Sequence, residues 1–193
     1  MILIGLAGRK GSGKNTAGDI LEKEYGFTQL SFAAPLKASA AALLNVSVAD
    51  LEEWKNDPEA LVSVFAPGEW EGRAMSVREF LQRYGTEAHR DIFGEDFWTK
   101  QLIDQLPEKG KFVITDARFD NECAAIQNAG GYVVYIDRPG TDDGDTHASE
   151  VPPADDLIYA KVLNDSTIEA LQRKLDVLLQ LIDGRTLAAV NLP

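Results

Sequence analysis

The segment Gly8-Arg9-Lys10-Gly11-Ser12-Gly13-Lys14-Asn15-Thr16 limits what this chain can fold into more than any other stretch. It follows Ile2-Leu3-Ile4-Gly5-Leu6-Ala7, an apolar run with β-branched residues that suits a buried parallel strand. It leads into Thr16 to Tyr25, where Ala17, Ile20 and Leu21 recur at helical spacing and Gly26 supplies the stop. A glycine-rich turn between a strand and a helix is a phosphate cradle. Its glycines let backbone N–H groups converge on phosphate oxygens. The helix adds the positive end of its dipole, and Lys14 adds a point charge for the terminal phosphates of a donor nucleotide. The spacing is that of a P-loop, and it assigns ATP contacts to Gly8, Gly11, Ser12, Gly13, Lys14, Asn15 and Thr16. The usual pattern places Ser or Thr after the lysine, where the hydroxyl ligates Mg2+. Here that residue is Asn15, whose amide oxygen is still a hard donor for Mg2+, directly or through water.

The rest of the chain alternates strand and helix patterns, which predicts an α/β domain with a mainly parallel sheet of five strands flanked by helices. Phe27–Phe32, Lys111–Thr115, Tyr132–Ile136 and Leu157–Leu163 read as the further strands. Helices are expected over Pro35–Leu44, from Ser76 to about Arg90, over about Asp96–Leu106 and over Asn121–Ala129. Ser76-x-x-Glu79 and Ser166-x-x-Glu169 read as capping boxes. Ile168, Leu171, Leu175, Leu178, Leu179 and Ile182 form the apolar stripe of a last helix. Breakers crowd Val46–Met75, which reads as a short helix and a loop within an inserted lobe of about 35–106. The polar stretch from Arg138 to Pro153 reads as a mobile loop, and Asp183–Pro193 as a C-terminal tail that frays.

Composition narrows the class. Residues 1–182 suffice for a single domain of ordinary size, and 45% hydrophobic with 26% charged residues is a globular balance. No apolar run approaches the ~18 residues of a membrane span, and Met1–Ala7 is too short for a signal peptide. Cys123 is the one cysteine, so no internal disulfide forms and a reduced, cytoplasmic setting is expected. The net charge of −12 opposes binding to duplex nucleic acid but leaves room for a small anion held by local cations.

Beyond the P-loop, several blocks carry a resemblance. They are Ser76-Val77-Arg78-Glu79-Phe80-Leu81-Gln82-Arg83-Tyr84-Gly85-Thr86-Glu87 with Phe97-Trp98, and Val113-Ile114-Thr115-Asp116-Ala117-Arg118-Phe119-Asp120-Asn121-Glu122. Asp137-Arg138-Pro139-Gly140, Asp145-Thr146-His147-Ala148-Ser149-Glu150 and Asn164-Asp165-Ser166 add to them. Together the chain resembles the bacteriophage deoxynucleoside monophosphate kinases, from Met1 to about Ile182 outside Val46–Met75. The resemblance implies a P-loop NTPase fold of nucleotide-kinase type, with an acceptor-binding helical lobe and a lid over about 138–153. It implies transfer of the γ-phosphoryl group of ATP, with Mg2+, to a deoxynucleoside monophosphate, in the host cytoplasm if the gene is a phage's. Dephospho-coenzyme A kinases and animal phosphomevalonate kinases share the plan and stay as alternatives. A nucleotide-binding regulator without turnover is the alternative of another class. A monomer and a homodimer are both open.

The chemistry of such a transfer sets what the residues must do. A monoester phosphate has its second pKa near ~6, so the acceptor oxygen is already ionised and needs no general base. The protein must hold two anions together and neutralise the group in transit. Lys14, Asp116, Arg118 and Arg138 are the catalytic candidates, with Asn15 and Asp116 for the metal. Asp116 lies just past the third sheet strand, at the carboxyl edge where α/β sheets bind ligands. Arg78 and Gln82, four apart, share a helix face. With Gly85, Thr86, Arg90, Trp98, Arg118, Glu122 and Lys37 they form the expected acceptor set. Trp98 is weighed as a wall for the base against ordinary core. Glu122 is left between a substrate contact and an arginine partner. Arg138, His147 and Glu150 are the lid residues, and the loop holds no further Arg or Lys until Lys161. Asn164 is assigned to ATP by resemblance.

Overall fold

The computed structural model describes residues 1–63, 74–141, 151–184 and 190–192. The chain divides into two compact units, a sheet unit of Met1–Phe32 with Ile103–Pro193 and a helical unit of Ala33–Leu102.

The sheet unit is built on β1 (Ile2–Ala7). Strands β2 (Thr28–Leu30), β5 (Lys111–Ile114), β6 (Tyr132–Asp137), β7 (Ala160–Leu163) and β8 (Val190–Leu192) join it in the order β2-β5-β1-β6-β7-β8. Every pairing in it is parallel. The five expected strands are all present. The sixth, β8, comes from the expected tail, where Val190 pairs with Ala160 and Leu192 with Val162. A three-residue strand at a sheet edge carries too little periodicity to stand out from a polar tail.

Alternation puts Ile4, Leu6, Val134, Ile136, Ala160 and Val162 on one face. Helices α1 (Lys14–Tyr25) and α8 (Ile168–Asp183) cover that face with Ala17, Leu21, Leu171, Leu175 and Leu178, all buried. Helix α7 (Asp120–Asn128) lies on the other face, where Ile126 sits over Gly5. The loops leaving the adjacent strands β1 and β5 therefore run to opposite faces. That is the arrangement that opens a crevice at the carboxyl ends of a parallel sheet. The phosphate loop follows β1 and Asp116 follows β5, so both stand at that edge.

The helical unit holds α2 (Ala33–Leu44), α3 (Val48–Asn56), an antiparallel hairpin of β3 (Leu61–Ser63) and β4 (Ala74–Ser76), and α4 (Val77–Gly85). Helix α4 passes through a π-helical turn at Thr86–Arg90 into the short α5 (Asp91–Phe93), and α6 (Phe97–Ile103) follows. Ala40, Ala41, Leu51, Val62, Val77 and Leu81 form its own buried cluster. Ser76 caps α4, its Oγ accepting from the Glu79 N–H at 3.2 Å. The hairpin replaces part of the expected loop. For α8 the cap is Thr167, whose Oγ1 accepts from the Ala170 N–H at 3.3 Å, in place of the expected Ser166. Ile168, expected in the stripe, is exposed as the first residue of the helix, ahead of the turn on which Leu171 is buried.

Candidate active site

The loop after β1 is ordered by its own backbone and by one side chain from across the sheet. The Ser12 N–H donates to the Arg9 carbonyl at 3.1 Å, and the Ala17 N–H to the Gly13 carbonyl at 2.9 Å. Lys14 is buried at 8% exposure, and its Nζ donates to the carbonyls of Gly8 and Arg9, the latter at 2.8 Å. The ammonium therefore rests inside the turn, over the space the glycines leave. Ser12 is 1% exposed, and its Oγ has no hydrogen-bond partner. Asn15 is exposed and Thr16 half-buried, on the first turn of α1.

Asn164, just past β7, donates from Nδ2 to the Ser12 carbonyl at 2.8 Å. Its own N–H donates to the Asp137 carbonyl at 2.6 Å. It braces the loop from outside. Gly13 has φ +102°, and a Cβ there would strike the Asn164 amide, so a side chain is excluded on two grounds. The expectation of an ATP contact at Asn164 thus meets a side chain engaged with the loop itself.

Asp116 closes the crevice from the β5 side. Its Oδ2 accepts from Ser31 Oγ at 2.6 Å and its Oδ1 from the Phe32 N–H at 2.8 Å. The carboxylate therefore ties the ends of β2 and β5 together. Arg118 is half-buried two residues on, and its N–H donates to Glu122 Oε2 at 2.8 Å. Glu122 also accepts from the Phe119 N–H at 3.2 Å and is 5% exposed. Its carboxylate caps α7 and holds the Arg118 backbone, so of the two readings of Glu122 the structure shows a contact to the arginine, through its N–H. A Glu in the first turn of a helix is the signal that points there.

Arg138 is exposed just after β6 and lines a cavity of about 360 Å3 with Arg9, Tyr135 and Lys161. His147 and Glu150 lie outside the described residues. Tyr135 is 7% exposed. Burial, with help from Asp137, pushes its phenol above the ordinary range against the lowering pull of Arg9. Neither Arg9 nor Tyr135 was among the expected site residues. Arg9 occupies a variable position of the loop pattern, and Tyr135 reads as plain strand.

In the helical unit, Arg78, Gln82 and Thr86 are exposed along α4 and the start of the π-helical turn. Arg78 donates to Asn56 Oδ1 at 3.4 Å. Arg90 is half-buried, and its Nε is enclosed with no hydrogen-bond partner. Lys37 is ion-paired with Glu52. Burial pushes the Glu52 carboxyl up, but Lys37 and Lys55 outweigh it and hold the group below its ordinary value. Trp98 is 5% exposed, and its Nε1 donates to the Gly85 carbonyl at 3.0 Å. It is core, not an open wall for a base. Gly85 is buried, and a Cβ there would lie 3.2 Å from Leu36 Cδ1, so its smallness serves helix packing. A π-helical turn at this point frees backbone carbonyls from the usual ladder, and such turns recur at functional sites.

Among the described residues, no group of three His, Cys, Asp or Glu side chains could hold a metal. Asn15 and Thr16 at the start of α1 and Asp116 after β5 offer hard oxygen donors. That set suits a Mg2+ that arrives on nucleotide phosphates and keeps several of its waters.

A family model described as deoxynucleotide monophosphate kinase matches residues 60–175. The chain belongs to this family. A protein of Acanthamoeba polyphaga mimivirus, provisionally named a deoxynucleotide monophosphate kinase, is 37% identical over 88% of this chain and 91% of its own. The deoxynucleotide monophosphate kinase of Enterobacteria phage T4 is 32% identical over 52% of this chain and 44% of its own. Among solved structures, TT1252 from Thermus thermophilus superposes with a TM-score of 0.50 at 18% identity, covering 93% of this chain and 96% of that one. That likeness concerns the fold alone. No described helix is long and apolar enough to cross a membrane.

Proposed function

We propose that this family member transfers the γ-phosphoryl group of ATP to a deoxynucleoside 5′-monophosphate, giving the diphosphate for DNA precursor synthesis. The observation that carries the reading is the ordered phosphate loop with Lys14 enclosed in it, in a chain of this family. Lys14 gives up its two carbonyls when the donor phosphates enter and binds them instead. Asn15 and Asp116 would hold Mg2+ or its waters, and the ion would supply charge neutralisation on the donor phosphates. Asp116 already uses both oxygens on Ser31 and Phe32, so contact through water suits it better than direct ligation.

Arg118 reaches the acceptor phosphate, from a backbone that Glu122 fixes. Arg138 serves the group in transit. In the helical unit, Arg78 and Arg90 bind acceptor phosphate and Gln82 the base. Arg is suited to these tasks because its planar fork matches phosphate oxygens. Lys37 supports the set through its pair with Glu52, and Thr86 offers a hydroxyl at the π-helical turn. The acceptor phosphate is already a nucleophile, so no general base is required.

The test is incubation of the protein with ATP, Mg2+ and each deoxy- and ribonucleoside monophosphate, with diphosphates quantified. Diphosphate from one or more deoxy forms is expected. Lys14→Ala is expected to lose transfer by at least about 10²-fold. Silence across all acceptors with ATP still bound would overturn the reading.

A further inference from the structure

Two openings lie beside the phosphate loop in the sheet unit. The larger is the cavity of about 360 Å3 lined by Arg9, Tyr135, Asp137, Arg138, Thr141 and Lys161, among others. The second is a narrow crevice bordered by Gly8, Arg9, Arg118, Tyr135 and Pro152. Arg9, Tyr135 and Pro152 are common to both, so they form the partition between an opening that holds Arg138 and one that holds Arg118.

Arg9 is fixed there from two directions. Its side chain lines the same two openings as Tyr135, and its charge pulls down on the phenol of that residue, which is 7% exposed. Its carbonyl accepts from Lys14 Nζ at 2.8 Å. One residue thus contacts the lysine of the phosphate loop through its backbone and presents a guanidinium through its side chain. The charges around the larger cavity favour an anion. Arg9, Arg138 and Lys161 face Asp137, and Lys161 is bridged at 2.7 Å to the exposed Asp155. Among the described residues, three cations against two carboxylates leave 3 − 2 = +1 locally, in a chain whose net charge is −12. The loop after β6 lacks further basic residues up to Lys161, so the second guanidinium in the cavity beside Arg138 comes from elsewhere in the chain. Arg9 supplies it from the phosphate loop.

We propose that Arg9 is a second catalytic arginine, beside Arg138, for the phosphoryl group in transit, held in place by Tyr135 as a positioning residue. The inference rests on the kinase reading above and deepens it. In the transfer, an ionised acceptor phosphate oxygen bonds to the γ-phosphorus. The bond from that phosphorus to its bridging oxygen breaks, and the electron pair leaves on the nucleoside diphosphate. Arg9 exchanges no proton. It neutralises the equatorial oxygens, which carry the charge midway through the displacement.

The experiment uses the full chain with Arg9→Gln, Arg9→Lys and Tyr135→Phe, and reads kcat and both KM values. Arg9→Gln is expected to lower kcat by on the order of 10³-fold, with the KM of ATP raised by about tenfold and that of the acceptor within about threefold. Arg9→Lys is expected to recover only part of the loss, because an ammonium lacks the bidentate fork. Tyr135→Phe is expected to lower kcat less, and to add nothing in combination with Arg9→Gln, an absence of additivity that a merely structural tyrosine would not show. A rise confined to the KM of ATP, or to that of the acceptor, with kcat unchanged would make Arg9 a binding residue for that substrate and overturn the proposal. Calorimetric titration with inorganic tripolyphosphate gives a readout free of turnover. Loss of at least tenfold in affinity in Arg9→Gln is expected even if no monophosphate is ever phosphorylated, in which case the kinase reading fails and the anion contact stands. Unchanged kcat together with unchanged tripolyphosphate affinity would sink it outright.

Discussion

Asn164 controls the phosphate loop without belonging to it. Its amide N–H satisfies the Ser12 carbonyl at 2.8 Å, on a loop whose geometry decides where the nucleotide phosphates sit. Asn164→Asp turns that donor into an acceptor facing another acceptor, and an unsatisfied part-buried group costs about 1–3 kcal/mol. We therefore expect Asn164→Asp to weaken ATP binding more than Asn164→Ala, by roughly tenfold or more against wild type, in equilibrium titrations. Equal effects of the two variants would mean that the hydrogen bond does not organise the loop. Cys123 provides a second test at this scale. It is fully buried on α7, and burial first, then Glu122 and Asp120, push its thiol up to about 12 from 9.0. The folded state thus holds the proton where the unfolded chain has released it. The stabilisation is complete below pH 9 and is lost as pH rises from about 9 towards about 12. Denaturant titrations should show wild type losing stability relative to Cys123→Ala across that window, and a constant difference would refute the linkage. The phosphate loop was legible in the sequence because its function depends on backbone and a fixed spacing. The role of Asn164 was not, since a contact 152 residues away leaves no local pattern.

Helix ends show how far local patterns reach. Ser166-x-x-Glu169 and Thr167 offer two overlapping starts for α8, and the hydroxyl that accepts a backbone N–H is that of Thr167. Removing a true cap costs ~0.5–2 kcal/mol, whereas an ordinary exposed substitution stays within about 0.5 kcal/mol. Thr167→Ala should therefore lower the unfolding free energy by about 1 kcal/mol, with Ser166→Ala close to neutral, as read by chemical denaturation. The reverse order would restore the box that the spacing suggests. Long periodic helices and the buried strands were legible for the same reason: their apolar faces repeat over many residues, as Leu171, Leu175, Leu178 and Ile182 do. The β3–β4 hairpin and β8 were not, because each strand is three residues long. Trp98 stays open between wall and core in the sequence for a different reason. An aromatic on a short helix looks the same in sequence whether it faces a ligand or the core, and here its N–H is taken by Gly85.

At the scale of the whole molecule, each unit carries a core of its own. Leu175 is fully buried among α1, α8 and the sheet, and Leu51 among α2, α4 and the hairpin. The two clusters share no residue. The phosphate loop depends on the first, because β1 and α1 flank it and both contribute to that cluster. Arg78, Gln82 and Arg90 depend on the second, through Val77 and Leu81 of α4. Truncating a buried leucine costs ~2–5 kcal/mol, depending on how far the site collapses. If the cores act separately, Leu51→Ala should speed amide hydrogen exchange across residues 33–102 while β1, β5 and β6 keep their protection. It should raise the KM for the acceptor with ATP affinity nearly unchanged. Leu175→Ala should do the opposite, loosening the sheet unit and weakening ATP binding first. Such a division suits a kinase that must bind two anions of different shape, since each unit can then be tuned for one of them. Exchange that accelerates uniformly in both variants would show instead that the two cores unfold as one cooperative unit, and the separate tuning of donor and acceptor would fall with it.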